Sequence, residues 1–73
     1  MSSTVRLEVN GESREYAGDA APETVAQLIA SLHLDATMVV AEVNGDIVKR
    51  DDFARHILAD GDKVEIVRFV GGG

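Results

Sequence analysis

The dipeptide Asn-Gly occurs twice in this chain, at Asn10-Gly11 and Asn44-Gly45, and each copy lies between two short runs with strand patterning. A tight type I′ turn needs positive φ at both central residues, and Asn followed by Gly meets that need at the least steric cost. Two β-hairpins are therefore predicted. In the first, Val5, Leu7 and Val9 alternate with Arg6 and Glu8, the period-2 pattern of a strand with one buried face. Glu12 to Tyr16 then returns as a polar edge strand. In the second, the β-branched run Met38-Val39-Val40-Ala41-Glu42-Val43 is too short for a long helix and reads as a strand, with Asp46 to Lys49 returning.

Between the hairpins, Thr24-Val25-Ala26-Gln27 has the S/T-x-x-E/Q form whose side chains satisfy the first free amides of a helix. Pro22 at the first helical position is the alternative start, two residues earlier. Val25, Leu28, Ile29 and Leu32 fall at i, i+3, i+4 and i+7, one apolar stripe to cover a sheet. After the second hairpin, Asp51 or Asp52 is expected to cap a brief helical turn with Phe53 and Ile57 facing the core. Asp60-Gly61-Asp62 turns the chain into a last strand from Lys63 to Val70. A right-handed crossover sets that strand parallel to and beside the first. The fold class is α+β, a β-grasp or ubiquitin-like arrangement: a mixed sheet of about five strands, one main helix across it and a short second helix. Residues 1–70 are expected to form the domain and residues 71–73 a flexible glycine tail.

A chain of 73 residues holds one small core. The absence of cysteine excludes disulfides and thiolate metal sites. No apolar run approaches the roughly 20 residues of a membrane span, and the first residues lack a charged-then-apolar signal pattern, so a cytoplasmic monomer is expected. Thirteen acidic against seven scattered basic residues give a formal charge of −6, which disfavours nucleic acid and anionic membrane and favours a basic protein surface as partner.

The search for catalytic chemistry returns nothing with usable spacing. His33 and His56 have no partner at metal-ligand separation; a helix-end interaction is expected for His33 and solvent for His56. Asp60 and Asp62 lack the further ligands of a calcium loop, and Ser2, Ser3 and Ser13 have no adjacent base. No metal site and no bound cofactor is expected, and the chain is not expected to be an enzyme. What remains is Gly71-Gly72-Gly73, joined to the last strand without a linker. Three extended residues reach about 10 Å and pass through a slot too narrow for a side chain, which suits delivery of the Gly73 carboxylate to a foreign active site. A frayed end is the competing reading.

Parity supplies a second candidate. With Val64 and Ile66 facing the helix, Val67 and Phe69 face outward, and with Glu42 pointing out, Val40 joins them. Val40, Val67 and Phe69 are thus expected to form an apolar docking patch beside the tail, rimmed by Arg6, Glu8 and Arg68. The alternative is that the strand end twists back into the core.

The run Val43-Asn44-Gly45-Asp46-Ile47-Val48, the turn Arg50-Asp51-Asp52-Phe53, and Asp60-Gly61-Asp62-Lys63-Val64-Glu65-Ile66 leading to Val70-Gly71-Gly72-Gly73 resemble the ThiS family of sulfur carriers in thiamin biosynthesis. Two glycines commonly end that family, and Gly71 extends the pair here. The resemblance implies that Gly73 is adenylated by an ATP-using, E1-like enzyme of ThiF type and becomes a thiocarboxylate. A cysteine desulfurase persulfide would supply the sulfur, and a ThiG-type thiazole synthase would receive it. A MoaD-type subunit of molybdopterin synthase, a ubiquitin-like modifier and a plain β-grasp binding module are the rival readings.

Overall fold

The computed structural model describes residues 4–69. The expectations placed on Ser2, Ser3, Val70 and Gly71 to Gly73 lie outside the described residues. Strands β1 (Thr4–Val9) and β2 (Glu12–Ala17) form the first hairpin, and β3 (Val39–Val43) and β4 (Asp46–Val48) the second. Helix α1 (Val25–Ser31) connects the hairpins, and β5 (Lys63–Arg68) is the last strand. Both Asn-Gly turns are of the predicted kind: φ is 51° and 84° at Asn10 and Gly11, and 53° and 87° at Asn44 and Gly45.

The five strands make one sheet in the order β2-β1-β5-β3-β4. β1 and β5 run parallel at its centre, the outcome a right-handed crossover requires, and the polar β2 lies at an edge. One face carries Leu7, Val9, Val39, Ala41, Val43, Val64 and Ile66, all buried against Val25, Leu28 and Ile29 of α1. Leu7, Val25 and Leu28 have no exposed surface; burial of such side chains stabilises by about 1.5–3 kcal/mol each. Among the described residues no buried side-chain polar atom lacks a hydrogen-bond partner.

Thr24 is the helix cap: its Oγ1 accepts the Gln27 N–H at 3.1 Å. Gln27 Oε1 accepts from the Glu23 N–H at 2.7 Å, one residue earlier than the reciprocal bond of a capping box. Pro22 is buried ahead of the helix rather than inside it. At the other end, the His33 N–H bonds the Ala30 carbonyl and the Leu34 N–H bonds the Ile29 carbonyl, with His33 at φ 60°. These are the two bonds of a Schellman motif, and His33 holds its left-handed position, where glycine is usual.

Three expectations need correction. Met38 belongs to a 3-10 turn (Ala36–Met38) rather than to the strand, because the Asp35 carboxylate accepts from the Thr37 N–H and hydroxyl and winds the backbone there. The short second helix is a 3-10 turn (Arg50–Asp52) after Lys49, with no side-chain cap from Asp51 or Asp52. Ile57 is 67% exposed, whereas Phe53 and Leu58 are buried. The i, i+4 rule that paired Phe53 with Ile57 requires a continuing helix. Here the turn ends and the chain extends, Ile57 bridging Thr24 and the Leu58 N–H bonding the Glu23 carbonyl, so adjacent residues point to opposite sides.

Candidate functional site

The strand that leads to the terminal glycines is held from both sides by the two turn asparagines. Asn10 Oδ1 accepts the Ile66 N–H at 2.7 Å, and Asn10 Nδ2 donates to the Ile66 carbonyl at 3.3 Å. Asn44 Oδ1 accepts the Lys63 N–H at 2.9 Å, and Asn44 Nδ2 donates to Asp62 Oδ1 at 2.9 Å. Each asparagine thus closes its own hairpin with its backbone and grips β5 with its side chain. Asp60 and Asp62 are used in the turn before β5: Asp60 Oδ1 accepts from the Arg6 N–H and Asp62 Oδ2 from the Ala59 N–H.

Outward parity holds where it was expected. Val40 and Val67 are register partners across β3 and β5, Val40 half-buried and Val67 58% exposed. Phe69 is 53% exposed, so the strand end does not turn back into the core, and its N–H bonds the Met38 carbonyl at 2.8 Å. The structure therefore brings Val40, Val67 and Phe69 together on the surface at the end of β5.

The rim differs from the expectation. The Gly61 N–H bonds the Arg6 carbonyl, which puts Arg6 at the start of β5, and its guanidinium lies 3.5 Å from Glu15. Glu8 pairs with Lys63, also at that end. Neither flanks Phe69. Arg68 shares the parity of Val64 and Ile66 and lines a cleft of about 250 Å³ with His33, Leu34, Asp35, Met38, Val39 and Phe69. The acidic neighbours of the patch are Glu42 and Glu65, register partners one outward step from Val40 and Val67. Parity alone turns Glu42 and Glu65 outward; the register between β3 and β5, which has no local sequence signal, is what sets them opposite one another beside the patch.

The two histidines remain apart from one another. His33 lies at the helix end described above and lines the Arg68 cleft, while half-buried His56 lines a separate cleft of about 280 Å³ with Asp46, Asp52 and Arg55. Among the described residues no group of three or more histidine or carboxylate side chains is arranged to hold a metal ion. No helix among them is long and apolar enough to cross a membrane. The Asp35 carboxyl is held below the usual aspartate range, first by the Thr37 hydroxyl and then by the Thr37 backbone N–H.

A mixed sheet grasping one helix, with the last strand running at its centre toward the chain terminus, defines a ubiquitin-like β-grasp protein. The chain belongs to the ThiS family, whose sequence pattern matches residues 7–73. The sulfur carrier protein ThiS of Bacillus subtilis is 36% identical over 67 residues, covering 92% of this chain and 98% of the relative. A thiazole synthase of Paramagnetospirillum magneticum is 41% identical over 69 residues, 94% of this chain. This chain spans only 20% of that relative's length. The crystal structure of the thiamine biosynthesis protein ThiS of Geobacter metallireducens superimposes with a TM-score of 0.78 at 35% identity, covering 94% of this chain and all of that one.

Proposed function

We propose that this chain is a sulfur carrier for thiazole formation in thiamin biosynthesis, and that the group it carries forms on the α-carboxylate of Gly73. The observation that carries the reading is the near end-to-end similarity to a protein named as a sulfur carrier, together with three glycines that follow β5 in the sequence after only Phe69 and Val70. A carboxylate is inert to nucleophiles until activated. Its oxygen attacks the α-phosphate of ATP on an E1-like adenylyltransferase of ThiF type, and pyrophosphate leaves. The terminal sulfur of a persulfide, generated by a cysteine desulfurase, then displaces AMP to give an acyl disulfide. A thiol reduces the S–S bond and frees the thiocarboxylate.

Apart from the Gly73 carboxylate that attacks ATP, the chain supplies no acid, base or nucleophile to these steps; it is the substrate of its partners. What it contributes is an end without side chains on a strand fixed by Asn10 and Asn44. The thiazole synthase relative, of which a stretch similar to this chain makes up about a fifth, supports a ThiG-type synthase as sulfur acceptor. Val40, Val67 and Phe69 form the surface on which partners dock, with Glu42 and Glu65 attracting basic groups.

Co-expression with the adenylyltransferase and a desulfurase tests the reading by intact mass. The expected result is a gain equal to the replacement of one oxygen by one sulfur, located on Gly73. Covalent adducts with lysines of other proteins, without that gain, would instead identify a protein tag.

A further inference from the structure

Strand β5 is central for its first half and an edge for its second. The hydrogen bonds fix which way each of its peptide groups points. The Lys63 carbonyl accepts from Asn44 and the Phe69 N–H donates to Met38, so the odd-numbered residues bond to β3. The Val64 carbonyl accepts from the Asn10 N–H, and Ile66 bonds the Asn10 side chain, so the even-numbered residues face the β1 side. β1 pairs with β5 only at Glu8 with Lys63 and Val9 with Val64 before turning away at Asn10-Gly11. At Ile66 the Asn10 carboxamide takes the place of a peptide group, accepting the N–H and donating to the carbonyl. One step further, the N–H and C=O of Arg68 point to the same side, and among the described residues nothing pairs with them.

We infer that this open edge at Arg68 is where a protein partner adds an extended backbone segment to the sheet. Backbone groups at an exposed edge are ready-made donors and acceptors for such strand addition. The amide of Asn10 already occupies the preceding position, which demonstrates that this side of β5 receives an amide in pairing geometry. The edge is continuous with exposed Val67 and Phe69, so one segment can bond the backbone while its neighbours cover the apolar side chains. Main-chain pairing also sets the tail's direction without reading any side chain, which a terminus of glycines cannot offer. The inference rests on the carrier reading above, and its occupant is the adenylyltransferase that must receive Gly73.

Amide hydrogen exchange of the full chain, alone and with that adenylyltransferase, is the test. In the complex the Arg68 amide is expected to slow by at least about tenfold relative to the free chain. Arg68→Pro removes only the N–H that faces away from β3 and should weaken the complex about tenfold, whereas Arg68→Ala, which keeps it, should stay within about threefold. A melting temperature of Arg68→Pro close to that of the parent separates lost pairing from lost fold. A complex that forms with Arg68 exchange unchanged, or that binds both variants alike, overturns the pairing while leaving the carrier reading intact. Protection that grows with the concentration of the chain alone assigns the edge to a second copy and also overturns it. Failure of the parent chain to bind the adenylyltransferase at all removes the carrier reading, and the pairing with it.

Discussion

His33 occupies a backbone position that suits glycine. Its φ of 60° completes the Schellman bonds at the end of α1, at a steric cost of about 1–2 kcal/mol for a residue with a Cβ. His33→Gly is accordingly expected to stabilise the chain by about 1 kcal/mol, a rise in melting temperature of about 4–8 °C by calorimetry. A fall would show that the imidazole makes a contact worth more than the strain. The sequence announced Asn10 and Asn44 as turn residues because Asn-Gly chemistry is local. Their second role, bonding β5 through the side chain, depends on residues 56 and 19 positions away and left no local signal.

At the scale of elements, the 3-10 turn Ala36–Met38 depends on the bonds from Thr37 to the Asp35 carboxylate. Because those bonds favour the ionised form, the folded pKa lies below the unfolded one. Their contribution to stability is therefore present above the usual aspartate range and is lost as pH falls through the folded pKa. Thr37→Val should raise the Asp35 pKa toward the ordinary value in an NMR titration; an unchanged titration would rule out the hydroxyl as the main cause. The hairpins and α1 were legible in the sequence because each has a period or a turn signal of its own, and the parallel pairing of β1 with β5 because the right-handed crossover rule leaves that arrangement. Met38 and Ile57 were not. Their orientation depends on where a short turn stops, at Met38 through the Asp35–Thr37 bonds and at Ile57 through pairing with the segment before α1.

For the whole molecule, the sheet divides its labour by face. The inner face spends its apolar residues on α1, while the outer face at the end of β5 leaves Val67 and Phe69 in water and sets Glu42 opposite Glu65. Like charges opposite one another in a sheet cost up to about 1 kcal/mol, a cost with no structural return here. Both features are consistent with a surface kept for a partner with basic groups. The outward patch was legible from parity alone; its acidic flank was missed because it required the register between β3 and β5. Phe69→Ala is expected to shift the melting temperature by no more than about 3 °C while raising the dissociation constant for the adenylyltransferase at least tenfold, about 1.4 kcal/mol or more. A large loss of stability with unchanged binding would make Phe69 part of the core.

The central claim is that the end of this chain is the group on which partner enzymes act. Pyrophosphate exchange into ATP by the purified adenylyltransferase, with the parent chain and with a variant lacking Gly73, measures it directly. The account predicts exchange that depends on the parent chain and disappears with the shortened one, while the two give the same amide spectrum for residues 4–69. Equal exchange with both chains would contradict it.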